Sequence, residues 1–465
     1  MQTSQLILSA FFFALFFLVL ILGRRGRLLL AIISLFAYGL FLDLGLQLDS
    51  SKIFSISSLC LVFMGIIPLR TPLVRAYSAS IGMLLFWIIL VWIIGYNNMP
   101  EFYDPTSWAR GPQGKPIIQF FSNIIIVAFF ITASYAVRDE SDLKWLFKGW
   151  RLVALLSASL CYIQFFWHFF SGNALWGVWR GEDIQNPAFV TIAGRSLQRV
   201  SALGGEPKHL GIALVFSLAG LLGLSRLWAD EHSSKLNRAI FLFLAGAALL
   251  TFSGSTYIAF LFFLLALMFS KRMNIIYGFF GTVLCIAFLV VTDNKVIQDL
   301  WDFRLGKAVH IISNPDSDDI YGGDKELPAI RKLLKQPAIA VTGVGIGMAP
   351  FYFQEEIRIK RWQDAFQEPN SGVTWSVYSF GVIGSLGLVW LLRKSVRKLV
   401  GRRYKGFIAL SGATILGGFI ALRPFAWVAF FLGLWFSEAM SGSREQHAAV
   451  SGELPAALPG TPDVD

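Results

Sequence analysis

Cysteine is scarce in this chain of 465 residues: Cys60, Cys161 and Cys285 are the only three, and each falls inside an apolar run. That pattern argues against a disulfide framework and against a cysteine-rich metal site, and it leaves the three as packing residues. Charged residues make up only 15% of the chain, and most of them sit in the breaks between long apolar runs. A single soluble core cannot account for such a distribution. The first apolar run, Leu6 to Leu22, lacks the small-residue cleavage site of a removed signal peptide and reads as a retained span. No internal repeat is evident. The one glycine-rich stretch, Gly343-Val344-Gly345-Ile346-Gly347, has neither the spacing nor the strand-turn-helix setting of a dinucleotide fingerprint. It reads as a tight turn that lets the backbone approach a site.

What the chain has in quantity is apolar length. Apolar residues account for 55% of it and the mean hydropathy is +0.61, with runs of about twenty residues, the length that crosses about 30 Å of hydrocarbon. The expected fold is therefore all-α, a polytopic membrane bundle of about thirteen spans with two long outer loops. The spans are expected over residues 5–22, 28–46, 53–69, 78–95, 116–137, 151–170, 208–227, 239–252, 256–270, 274–292, 372–392, 406–422 and 425–440. Ser253-Gly254-Ser255-Thr256 is the only break in 239–270, and without it the stretch would form one helix of about 48 Å, too long for a bilayer unless severely tilted. Residues 1–440 form the transmembrane domain; the Pro-, Gly- and Ala-rich 441–465 reads as a disordered cytoplasmic tail.

Basic residues set the expected orientation, because they stay preferentially on the cytoplasmic side of short loops. With the N-terminus outside, the inner loops collect Arg24, Arg25 and Arg27, then Arg138, Lys144 and Lys148, and later the basic run from Arg393 to Lys405. Treating 239–270 as one span would invert everything downstream and put that run outside. The net charge of +11 is largely accounted for by such anchoring, and no nucleic-acid partner is needed.

Two outer loops remain, at about 171–207 and 293–371. The first carries Arg195, Arg199, Glu206, Lys208 and His209, with Gly194, Gly204 and Gly205 among them, and ends where a span begins. In the second, Glu326 to Lys335 reads as a short helix presenting Arg331, Lys332 and Lys335; a second helix follows, with Tyr352, Ile359, Trp362 and Phe366 at helical spacing. Guanidinium forks match phosphate oxygens in a bidentate way, and each charge-assisted bond contributes roughly 1.5–3 kcal/mol. These residues point to phosphate chemistry at a membrane surface: arginines to hold a lipid pyrophosphate, and Glu206 to take a proton from an acceptor hydroxyl.

Each residue also has a plainer reading. Arg199, Arg331 and Arg195 could anchor headgroups or form loop salt bridges, and Glu206 could cap the next helix. His209, His168, His310 and Arg180 could make ordinary surface contacts. Asp316-Ser317-Asp318-Asp319 resembles a cation-holding pattern but follows Asn314-Pro315 and reads more simply as a solvated turn. Asp43 and Glu438 lie close enough to span ends to be solvated.

Arg199-Val200-Ser201 followed by Gly205-Glu206-Pro207, the Leu250-Thr251-Phe252-Ser253 break, Arg331 ahead of Pro337 and the glycine-rich turn, and the Asn370 to Gly387 stretch resemble, in that order, the O-antigen polymerase and O-antigen ligase superfamily. The resemblance covers about residues 150–392. It implies a GT-C-like glycosyltransferase using undecaprenyl-pyrophosphate-linked glycan on the outer face of a bacterial inner membrane. It implies Arg199 and Arg331 as pyrophosphate-binding residues; Arg195, Lys208, His209 and Lys335, read from the loops themselves, are the further substrate-binding candidates. A chain-length regulator protein is an expected further partner, no other cofactor is expected, and no metal is needed if the arginines carry the charge. Ligases of the superfamily place a histidine before an asparagine after the large loop, where this chain has Pro369 before Asn370. Glu206-Pro207 resembles the polymerases instead, so a Wzy-like polymerase is expected. The alternatives are a ligase moving glycan to lipid A core and, from another class, a lipid-glycan transporter with broken helices near mid-bilayer.

Overall fold

The structure is a computed structural model that describes residues 3–43, 47–67, 71–97, 111, 113–175, 179–180, 183–184, 189–192, 195–225, 234–269, 333, 335–352, 371–399, 405–421, 424–435 and 437. The described chain is mostly helical. In order it forms α1 (Thr3–Ile21), α2 (Arg24–Phe36), α3 (Ser50–Phe63), α4 (Thr71–Asn97), α5 (Gly114–Ile125), α6 (Val127–Ala136), α7 (Glu140–Ser171) and α8 (Pro207–Ser225). Then come α9 (Ser234–Leu249), α10 (Gly254–Phe269), α11 (Pro337–Thr342), α12 (Ala349–Tyr352), α13 (Gly372–Leu399) and α14 (Lys405–Ala421), and α15 (Phe425–Trp435). Among the described residues four segments are long and apolar enough to cross a membrane: Gly114–Ala136, Ser141–Ser171, Pro207–Leu224 and Gly372–Trp390. The segment expected over 274–292, most of the large loop and the tail lie outside the described residues.

Three expectations change. The span over 28–46 is helical only as far as Phe36; an antiparallel hairpin follows, β1 (Leu40–Asp43) with β2 (Gln47–Asp49). Ala37 caps the helix end, and Leu40, Leu42, Leu46 and Leu48 make the run look continuous in composition although it turns back on itself. The helix expected over 151–170 starts eleven residues earlier, at Glu140, where the Asp139 carboxylate caps it by accepting from Asp142 N–H. The expectation of helices alone also gives way: β3 (Trp179–Arg180), β4 (Asp183–Ile184), β5 (Phe189–Ile192) and β6 (Arg195–Gln198) fold the first long loop, and β3 joins β1 in parallel. The break at Leu250 to Ser253 is present and separates two helices, with Phe252 turned to φ +46°.

The core is aromatic. Trp150 of α7 stacks on Trp427 of α15 at 5.9 Å, Phe216 of α8 stacks on the same indole at 5.5 Å, and Phe430 and Phe431 close around them. Trp150 Nε1 donates to Ser217 Oγ at 2.8 Å, so the buried indole leaves no donor unpaired. Away from this core, α7 leaves Leu152, Leu156, Ile163, Phe166, Trp167 and Phe170 exposed along its outer face. An uncovered apolar stripe of that length suits lipid rather than water.

Helix α13 is broken at Gly381 (φ +67°, ψ −177°). A break in apolar surroundings frees carbonyls that need partners. Three are supplied: Val344 N–H donates to Tyr378 O at 2.7 Å, Gly345 N–H to Ser379 O at 3.1 Å, and Trp87 Nε1 to Phe380 O at 3.0 Å. The glycine-rich segment is thus the tight turn its sequence implied, with Gly343, Gly345 and Gly347 all at positive φ. What its backbone approaches is the break in α13 and the helix α4, where Gly95 leaves room for Val344.

The bundle has two polar ends. At one, the buried Asp142 takes Arg24 at 3.0 Å and Arg25 at 2.6 Å, tying the α1–α2 junction to the α6–α7 junction. At the other, the α2–β1 junction, the starts of α3, α8 and α15, the end of α7 and the α9–α10 turn come together.

Candidate functional site

The site is built on the segment that leads from β6 into α8. Its geometry comes from α7, whose last turns bring two polar side chains one helical turn apart into an otherwise apolar face. His168 Nε2 donates to Ser196 O at 2.9 Å. Gln164 is fully buried, and its Oε1 accepts both Ser201 N–H at 3.0 Å and Ala202 N–H at 2.9 Å. The chain then turns at Ala202 (φ +43°) and Gly205 (φ +79°). Gly205 lies flush against Gly39, so that a Cβ on either glycine would collide with the other's backbone, and Gly39 N–H donates to Leu203 O at 2.9 Å. The segment is therefore pinned from below by α7 and from the side by the α2–β1 junction.

On this pinned segment the two residues singled out as the chemical pair take their places. Arg199 is part-buried and its Nε donates to Thr251 O at 3.4 Å, while Val200 N–H donates to Leu250 O at 3.5 Å. Two of the sequence motifs, Arg199-Val200-Ser201 and Leu250-Thr251-Phe252-Ser253, are thereby in direct contact. Thr251 is held in turn, donating from Oγ1 to Ala248 O at 2.7 Å. Glu206 immediately precedes α8, with Pro207 as the helix's first residue, and its carbonyl accepts from His209 N–H at 3.0 Å. Its carboxylate pairs with Lys208 Nζ at 2.7 Å. Both partners are partly exposed, and such a pair contributes little to stability while still orienting the carboxylate.

Lys208 and His209 continue into a cavity of about 300 Å³ between α2, α3, α5, α8 and α15. The His209 ring lies 4.4 Å from that of Tyr38. The remaining predicted site residues are less informative. Lys335 is exposed beside the buried Leu333; the side chain of Arg195 and all of Arg331 lie outside the described residues, as do His310, Glu438 and Asp316 to Asp319. Among the described residues no group of His, Cys, Asp or Glu could hold a metal ion.

Sequence reasoning passed over Gln164 altogether and treated His168 as incidental. The signal was available, since two polar residues four apart inside an apolar run invite a function. It did not single out Tyr38, Asp49 or Asn123, whose convergence depends on contacts between distant helices.

No protein-family model matches the chain, and no curated protein matches it either.

Proposed function

We propose that the protein is a polysaccharide polymerase of the O-antigen polymerase and ligase type. On this reading it is an inverting glycosyltransferase of GT-C architecture, with about thirteen spans, working on the outer face of a bacterial inner membrane. The donor is a glycan carried on undecaprenyl pyrophosphate and the acceptor is a hydroxyl of another repeat unit. The acceptor oxygen bonds to the donor's anomeric carbon as the bond from that carbon to pyrophosphate breaks. Arg199, joined by Arg331, neutralises the charge growing on the departing diphosphate, and Glu206 receives the hydroxyl proton. Arg195 and Lys335 add binding cations around them, while Lys208 orients the Glu206 carboxylate and His209 lines the cavity beside it.

The observation that carries this reading is the pinned segment itself. A guanidinium and a carboxylate sit on one short stretch, fixed by Gln164, Gly39 and the Thr251 turn at a polar end of the bundle, and fixed polar groups are what stabilisation of a transition state requires. A transporter would use the freed carbonyls of a broken helix to line its path. At Gly381 those carbonyls are engaged by Val344, Gly345 and Trp87, which favours the polymerase.

The test is the polymer profile of cells carrying Arg199→Ala or Glu206→Gln as the sole copy. We expect single repeats on the acceptor with no ladder, a loss of at least 100-fold in polymer, at unchanged amounts of protein in the membrane. Acceptor bearing no repeat at all would mark a ligase, and wild-type ladders in either variant would rule out the roles assigned here.

A further inference from the structure

The cavity beside Glu206 is chemically unlike the arginine site. One wall is polar: Asp49 and Lys52 at the start of α3, Gln119 and Asn123 one helical turn apart on α5, and Lys208 and His209 on α8. Tyr38 and Phe425 add ring surface, while Trp427 reaches the cavity only marginally from the aromatic core. Its two lysines already have carboxylate partners, Lys52 with Asp49 at 3.3 Å and Lys208 with Glu206 at 2.7 Å. Little uncompensated positive charge is left for a phosphate. Asn123 and Gln119 add two neutral amides to the lining. Polar forks together with ring surface suit a ligand that has hydroxyls at its rim and C–H groups on its faces. The volume of about 300 Å³ is at the lower end of the roughly 300–1,000 Å³ typical of small-molecule sites, room for one sugar ring and part of a second.

We propose that this cavity is a sugar subsite for an uncharged hexose or N-acetylhexosamine, with Asn123 and Gln119 bonding its hydroxyls and Tyr38 and Phe425 covering its faces. Lys208 connects it to the reaction centre, since the same side chain lines the cavity and holds the Glu206 carboxylate. The subsite rests on the polymerase reading for one thing only: that the sugar it takes is the acceptor's.

The experiment is saturation-transfer NMR on the full chain in lipid nanodiscs, with glucose, galactose, mannose, rhamnose, N-acetylglucosamine and N-acetylgalactosamine as probes at millimolar concentration. At least one should receive saturation from the wild type. Asn123→Leu should weaken that sugar at least tenfold, and Gln119→Leu, one turn away, should do so too if the first variant folds poorly. Arg199→Ala should bind it as the wild type does. Three results would overturn the subsite: no sugar of the panel binds, binding persists unchanged in both leucine variants, or the cavity takes inorganic pyrophosphate instead, with loss on Lys52→Ala. Sugar binding that meets the expectation while Glu206→Gln still polymerises would retain the subsite and reject the polymerase mechanism, so the two failures are distinguishable.

Discussion

Gln164 is the residue on which the candidate site depends most and the one least visible in advance. It offers a single oxygen to two backbone N–H groups that are themselves buried, at Ser201 and Ala202. Gln164→Leu fills the same space without an acceptor and strands both donors, each at a cost of about 1–3 kcal/mol. We expect the variant to be made and inserted, to lose about 2 kcal/mol or more of thermal stability in detergent, and to polymerise at least tenfold more slowly. Equal stability and equal polymer would show that the segment keeps its shape without α7. Arg199 and Glu206 stood out as chemical residues because charge is so rare beside apolar runs. Their support did not, since hydrogen bonds spanning dozens of residues leave no local pattern to read.

Helix α7 gives the most direct check on local energetics. Asp139 stands outside the apolar part of that helix, and its carboxyl is held below its ordinary value of 3.8, first by the hydrogen bond from Asp142 N–H and then by Ser141 Oγ–H. A carboxylate with a depressed value stabilises the folded form at pH values above the ordinary one and loses that contribution as pH falls through the lowered one. Asp139→Ala should therefore cost about 1 kcal/mol at pH 7, and the difference from wild type in thermal unfolding should shrink below about pH 4. A difference unchanged down to pH 3 would mean the cap contributes through something other than its charge. Elsewhere, how well an element could be read followed its contrast with its surroundings. The Leu250 to Ser253 break was visible because polar and small residues interrupt apolar ones. The β1–β2 hairpin was hidden because its leucines match the helix before it, and the step between α5 and α6 at Ile126 was hidden because Ile124 to Val127 is uniformly apolar.

For the bundle taken together, the two polar ends make a prediction about sides. Arg24, Arg25 and Asp142 mark one end, and Arg199, Glu206 and Lys208 the other. Basic-loop asymmetry assigns the first to the cytoplasm. With Cys60, Cys161 and Cys285 replaced by serine or alanine, Leu203→Cys should react with a membrane-impermeant maleimide applied from outside, because Leu203 is exposed beside the site. Ser141→Cys should react only once the membrane is opened. The reverse pattern would turn the protein over and place the site in the cytoplasm. Composition and charge were enough to expect a mostly helical chain with apolar helices long enough to cross a membrane. The cavity was out of reach of such reasoning, because its walls come from residues as far apart as Tyr38 and Phe425.

The central claim is that a pinned cation and carboxylate move glycan from a lipid diphosphate onto a sugar hydroxyl. It is tested most directly by purified protein in lipid vesicles supplied only with lipid-linked repeat units and magnesium-free buffer, with product length read on a gel. The account predicts that the wild type builds chains of several repeats and releases free lipid diphosphate in step with them, while Glu206→Gln and Arg199→Ala leave the repeats unjoined. Chains of ordinary length from the Glu206→Gln protein would contradict it.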